Sequence, residues 1–236
     1  MSTLVLRLAG PLQSWGSESR FVRRTTETAP TKSGIVGLLA AAQGRRRVDE
    51  IEDLVGLSLA VRVDQEGQVL RDFHTAHNPK RPQANIPLSN RFYLSDAVFT
   101  AYLGGPSALV EGLASAIVDP AFPLALGRRS CVPVPPLLLT ISEKEPREML
   151  LDTPLQAGRS QRRSRARTVR CSVQADVQVL PEEASRRRIR DVPLSFNPED
   201  RRYAYREVVE TVVDVANPDG RASGGHDPFA ALEGLL

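Results

Sequence analysis

Guanidiniums, hydroxyls and one helix entrance recur along this chain at places where a phosphate could be held. Thr31-Lys32-Ser33-Gly34 opens a predicted helix with free backbone N–H groups, hydroxyls and an ammonium, a set able to take an anion. The glycine spacing of a P-loop is absent before Lys32, and ordinary capping by Thr31 or Ser33 explains the same residues. Arg20, Arg23 and Arg24 precede this entrance, and Arg45, Arg46 and Arg47 follow the helix after Gly44, a natural C′ residue. Leu126-Gly127-Arg128-Arg129-Ser130-Cys131 adds a glycine, paired guanidiniums and a hydroxyl. That loop is suited either to clamping a phosphate or to forming a charged turn. Trp15, the only tryptophan, lies between Gly10-Pro11 and Gly16 with Gln13 beside it. Its ring is either a core anchor or a platform for a base. A stacking ring, guanidiniums and a helix N-terminus are the parts that hold a bent, single-stranded phosphate backbone.

A different chemistry is conceivable at Arg71-Asp72-Phe73-His74-Thr75-Ala76-His77. His74 has the side chain of a general base for RNA cleavage, and equally that of a polar residue at a strand end. No Cys or carboxylate companion gives the two histidines a metal-ligand pattern. Cys131 and Cys171 lack CxxC spacing. No metal and no cofactor are expected, and a reduced, cytoplasmic compartment is the default.

Composition narrows the class. With 236 residues and 41% hydrophobic content the chain builds a real core, which excludes wholesale disorder. The net charge of +3 decides little, but of 31 basic residues only Lys32, Lys80 and Lys144 are lysine. A GC-rich genome explains that bias, and so does a need for bidentate phosphate contacts. Arg159 to Arg170 carries Arg162, Arg163, Arg165 and Arg167 between its ends and no acid, the composition of a surface for nucleic acid or an acidic partner. Arg186, Arg187, Arg188 and Arg190 lie beside Glu182 and Glu183 and read as a surface ion-pair patch. No run approaches the roughly twenty apolar residues of a bilayer span, and no signal-type segment opens the chain.

The elements that position these groups follow from periodicity. Strands are predicted over Thr3 to Leu8, Leu59 to Val63, Gln68 to His74 and Arg91 to Leu103, the last with a phase slip that predicts a bulge. Helices are predicted over Ser33 to Gln43, Val48 to Leu57 and from Pro106, where Leu109, Leu113, Ala116 and Ile117 form a stripe. A further strand is predicted around Val134 to Ile141. The proline-rich Asn78 to Leu88 reads as a protruding loop. The order is that of a ferredoxin-like βαββαβ unit, an α+β fold with its helices on one side of the sheet. Strand patterns over Thr168 to Leu180 and Tyr203 to Val215 predict a smaller β-rich second domain over residues 145–236, after a first domain over 1–144. A short helix is expected at the C-terminal Pro228 to Leu236.

Leu6-Arg7-Leu8-Ala9-Gly10-Pro11-Leu12-Gln13-Ser14-Trp15-Gly16, Pro30-Thr31-Lys32-Ser33-Gly34 with Gly37-Leu38-Leu39, Arg71 to Thr75 and Leu126 to Cys131 together resemble the Cas-five family of type I-E CRISPR Cascade complexes. The resemblance implies an RNA-binding, RAMP-type ferredoxin-like domain that caps the 5′ tag of CRISPR RNA (crRNA) in an antiviral ribonucleoprotein complex. Its implied partners are the crRNA tag, the backbone subunit of the Cas-seven family, the large subunit and, indirectly, target DNA, with no membrane. A long hairpin, the thumb, is implied at about residues 74–92. The implied RNA-contacting set is Gln13, Trp15, Arg20, Arg23, Arg24, Lys32, Ser33, Arg45, Arg46, His74, Thr75, Arg91, Arg128, Arg129 and Ser130. Relatives often carry arginine where this chain has Lys32. The family member of this subtype binds without cutting. The alternatives are a metal-independent endoribonuclease using His74, with Lys80 and Tyr93 near it in sequence, and a protein scaffold that touches no RNA.

Overall fold

The computed structural model describes residues 1–16, 23–75, 88–181 and 185–221. Their elements, in chain order, are β1 (Ser2–Ala9), β2 (Leu12–Gln13), β3 (Arg23–Arg24), α1 (Lys32–Ala42), α2 (Glu52–Val55), β4 (Ser58–Gln65), β5 (Gln68–His74) and β6 (Ser89–Ser95). They continue with β7 (Val98–Gly105), α3 (Ser107–Val118), β8 (Leu138–Ser142), α4 (Pro146–Asp152), α5 (Arg159–Ser164), β9 (Thr168–Asp176), β10 (Arg186–Ser195) and β11 (Arg202–Ala216).

A seven-stranded sheet runs in the order β10-β11-β9-β4-β7-β1-β8. All its pairings are antiparallel. β1 is buried on both faces, which explains its near-continuous apolar run. Leu4, Leu6 and Leu8 pack with α1 and α3 in the larger core, whereas Val5 joins Ala60, Tyr102, Leu150 of α4, Val173 and Val209 on the opposite face. The expected division at residue 144 is not marked by a break in this sheet. The strands after it continue the same sheet, β9 pairing directly with β4, Ala60 opposite Ala175.

α1 starts where capping chemistry predicts: the Thr31 hydroxyl accepts from Gly34 N–H at 3.2 Å. It ends before Gly44, which takes a positive φ of 77°. On α3 the buried residues are Val110, Leu113, Ala114 and Ile117. Leu109 and Ala116 of the predicted stripe are only partly buried, so the inward face is rotated relative to it. The predicted second helix contracts to α2, with Ile51 and Leu54 buried. β8 begins later than expected, because Pro133, Pro135 and Pro136 cannot donate to a ladder.

The strand predicted over Arg91 to Leu103 is two strands. Asp96 adopts φ 57° and its N–H donates to the Pro11 carbonyl at 3.2 Å. The chain keeps its direction through this kink, and the register of β7 against β4 shifts there between Val63 and Gln65, the irregularity that the phase slip predicts. The kink sends β7 into the large sheet and β6 into a second, four-stranded sheet with β2, β3 and β5. β5 and β6 pair antiparallel from Gln68 opposite Ser95 to His74 opposite Ser89. The segment joining them, residues 76–87, lies outside the described residues, as do Arg20 and the expected C-terminal helix. β10 was not legible as a strand; it is an edge strand of the large sheet, where Pro193 and a row of arginines are tolerated.

Two buried ionic clusters tie the later strands to the earlier ones. Arg62, fully buried, pairs with Asp64 at 2.9 Å and donates to the carbonyls of Leu150, Thr153 and Pro154. Asp64 also accepts from the Thr100 hydroxyl at 2.7 Å and Gln156 N–H at 2.8 Å. In the second cluster Arg206 binds Asp191 through Nε and Nη2, at 2.7 and 2.8 Å, and Asp176 through Nη1. The same two carboxylates meet α1: Lys32 N–H donates to Asp191 at 2.7 Å, and its ammonium lies 3.3 Å from Asp176.

Candidate nucleic-acid interface

An open groove of about 2260 Å³ runs along α1, the loops after α1 and α3, and the turn between β10 and β11. Arg24, Arg45, Arg46, Arg47, Arg128, Arg129, Arg190 and Arg201 line it, and among the described residues no aspartate or glutamate does. Leu38, Ile117, Leu137 and Phe196 contribute apolar lining. The Thr31 and Ser33 side chains stand at the α1 end. Eight guanidiniums along one concavity create a strongly positive path for a polyanion.

The arginines are held differently. Arg45 is braced by both oxygens of Asp53 and by the Glu50 carbonyl, and its pKa is raised, chiefly by the Asp53 hydrogen bond. Arg46 pairs with Asp49 at 3.3 Å but remains exposed. Arg128 is half-buried. Its guanidinium stacks over the Tyr93 ring at 4.6 Å and donates to the carbonyls of Phe92 and Arg24. It therefore fastens its loop to β6 and β3. Arg24, Arg47, Arg129 and Arg201 are exposed and have no ion pair among the described residues.

Gly127 is required by that loop, though not for the expected reason. It sits at φ 88°, and a Cβ there would collide with the Ser14 carbonyl oxygen. The close approach is to the chain itself. Ser14 N–H donates to the Leu126 carbonyl at 3.1 Å, and Cys131 closes the turn onto Arg128 and Leu126.

Four members of the implied RNA-contacting set are buried: Gln13, Trp15 and Lys32 in the interior, and Ser33 on the groove wall. Gln13 is fully buried; its amide donates to the Leu8 and Ala97 carbonyls and accepts from the Trp15 indole at 3.0 Å. Trp15 is fully buried and packs on Gly34, where a Cβ would stand 2.6 Å from the ring. Trp15 is thus the wedge that seats α1 on the β1–β2 segment, leaving no open ring face for a base. Lys32 is 8% exposed, and its ammonium and N–H meet Asp176 and Asp191. A protein carboxylate fills the anion site at the start of α1. Burial separates Gln13, Trp15 and Lys32 from the exposed arginines of the set. Trp15→Ala is expected to cost about 3–5 kcal/mol of stability, read from urea unfolding. Unchanged stability would contradict the wedge.

Ser33 and the remaining members spread over two regions. Arg24, Ser33, Arg45, Arg46, Arg128 and Arg129 converge on the groove, with exposed Ser130 adjoining them in the loop. His74 and Thr75 are exposed at the end of β5 and do not line it. His74 Nε2 lies 3.6 Å from Asp72. Arg91 is registered between Asp72 on β5 and Arg24 on β3. For Arg23, only its place in β3 is described. Sequence reasoning missed Arg190, Arg201 and Phe196. Arg190 is part of the basic run on β10, but nothing local announces that this edge returns to α1. The Lys32–Asp191 contact, spanning 159 positions, brings it there.

Among the described residues no group of three or more His, Cys, Asp or Glu side chains is arranged to hold a metal ion. Cys131 and Cys171 are free and buried, and burial pushes the Cys171 thiol up to about 11. No helix of the described residues is long and apolar enough to cross a membrane.

A seven-stranded antiparallel sheet flanked by helices thus carries an arginine-lined groove. A family model described as CRISPR-associated protein (Cas_Cas5) matches residues 3–209, and the chain belongs to that family. A protein of Escherichia coli (strain K12) named CRISPR system Cascade subunit CasD is 37% identical over 172 residues, 64% of this chain and 76% of that protein. A solved chain described as a CRISPR RNA-guided surveillance complex is 33% identical with a TM-score of 0.76, covering 98% of both chains. Another, described as a crystal structure of a Cas protein, is 36% identical with a TM-score of 0.63, covering 92% of this chain and 99% of the other.

Proposed function

We propose that this chain is a non-catalytic subunit of a CRISPR Cascade surveillance complex, and that its arginine-lined groove holds the 5′ tag of the crRNA. The observation that carries this reading is the groove itself, lined by arginine and, among the described residues, by no carboxylate. Family membership and the name of the E. coli relative supply the complex. Exposed Arg24, Arg46, Arg47, Arg129 and Arg201 take phosphates, and Arg45 and Arg128 shape the walls. A backbone subunit and the large subunit are the protein partners in this reading, and target DNA is reached through the complex.

The ferredoxin-like reading is supported by the order β8-β1-β7-β4, which is fourth, first, third and second of the βαββαβ unit, with α1 and α3 in one core. The β5–β6 pair is the base of the proposed thumb. Cleavage gains nothing from the geometry. Tyr93 is 4% exposed beneath Arg128, and His74 stands apart from the groove, so among the described residues these two are not brought to one phosphate, and Lys80 lies outside those residues.

The test is incubation of repeat RNA in EDTA with the chain alone and with co-expressed Cascade subunits. Intact RNA and co-purification on a tagged guide complex are expected. RNA cut by the isolated chain, and left uncut by His74→Ala, would replace binding with catalysis.

A further inference from the structure

A second arginine field occupies elements that do not line the groove. Arg159 and Arg163 stand one helical turn apart on α5, as do Ser160 and Ser164. With Arg221, beyond β11, they line a shallow concavity of about 420 Å³, and all five are exposed. The site is anchored from below. Arg165 donates to the Asp64 carbonyl at 3.2 Å, and Arg162 pairs with Asp219 at 3.3 Å. Asn217 Nδ2 donates to the Arg162 and Ala166 carbonyls, and Arg221 N–H to the Arg165 carbonyl. Two guanidiniums thus serve structure. Arg159, Arg163, Arg167, Arg170 and Arg221 have no ion pair among the described residues. Asp214 is registered opposite Arg170 but does not line the concavity.

The chemistry of the patch names its ligand. Arg159 to Arg167 and Arg221 include no aromatic and no large apolar residue. Protein interfaces are anchored by such residues at their centre, and single-strand sites use rings to stack bases. Contacts from guanidiniums and hydroxyls to phosphate and sugar hold a duplex without reading its sequence. Like charges at i,i+4 also weaken a helix unless an anion lies between them. We infer that this patch binds the phosphate backbone of double-stranded nucleic acid, without sequence preference, at a site separate from the groove.

The test compares the full chain and its assembled complex, wild type against R159Q/R163Q/R221Q. The probes are a fluorescein-labelled DNA duplex of arbitrary sequence, about 25 base pairs, and single-stranded tag RNA. The substitution is expected to weaken duplex binding at least tenfold and to lower its salt slope by about 2–3. RNA binding and the melting temperature should stay unchanged. S160D, which puts a carboxylate into the concavity, should weaken duplex binding as well. Unchanged duplex affinity and slope in both variants would overturn the proposal. Loss of a protein subunit with duplex binding intact would overturn it too, assigning the patch to an acidic protein surface. The RNA probe tests the groove independently, so the two readings fail separately.

Discussion

Arg206→Met is expected to destabilise the chain by about 3–5 kcal/mol, because it strands two buried carboxylates at once. Asp191 is 2% and Asp176 4% exposed, and Arg206 meets both. What remains for them is Lys32, whose N–H meets Asp191 and whose ammonium meets Asp176, and the Leu59 N–H, which donates to Asp176 at 2.9 Å. The loss would appear in urea unfolding, and as a melting temperature lower by roughly 10 °C for a chain of this size. Replacing the carboxylates as well, with D176N and D191N, is expected to restore much of it, since the penalty belongs to the unpaired charges. A loss below about 1 kcal/mol would mean that water reaches the cluster. The consequence extends to the groove. Asp191 sits on β10 beside Arg190, so this cluster ties that part of β10 to the start of α1.

The second large effect concerns RNA. R46Q/R47Q/R129Q removes exposed groove charges while sparing Arg128, which holds its loop. Removing each guanidinium–phosphate interaction is expected to cost about 1 kcal/mol or more, giving at least a hundredfold weaker binding of tag RNA in sum. The salt slope should fall by about 2, at roughly 0.7 per phosphate of a single strand. Folding stability should hold, because these side chains are exposed and the Arg46–Asp49 pair is a surface one. Binding and slope equal to wild type would remove the groove from the RNA path. By contrast, R128A is expected to lower stability as well as binding, since it vacates the Tyr93 ring and two carbonyls.

Much of the scaffold was legible because local signals agree with the tertiary result. Thr31 and Gly44 bracket α1, Pro106 precedes α3, and β1 and β4 announce themselves by apolar runs. What was hidden depends on long-range contacts. Trp15 reads as a core anchor or a base platform from sequence alone, and only the slot that Gly34 opens for it on α1 seats it in the core. Lys32 looks like a phosphate ligand until Asp191 arrives from β10 to cap the same N–H. Gly127 announces a close backbone approach, but its spacing does not say that the approaching atom is Ser14's own carbonyl. The basic segments around Arg45 and Arg128 were recognisable by composition, and folding brings them to one groove. Arg190 and Arg201 join them only through sheet topology, which no local pattern encodes.

The central claim is that the groove carries the guide's 5′ tag. Ultraviolet cross-linking of a guide RNA in the assembled complex, with peptides mapped by mass spectrometry, tests it most directly. Adducts from tag nucleotides are expected on peptides containing Arg45 to Arg47 and Arg128 to Ser130. Tag adducts confined to α5 or to the β5–β6 pair, with none on those groove peptides, would contradict it.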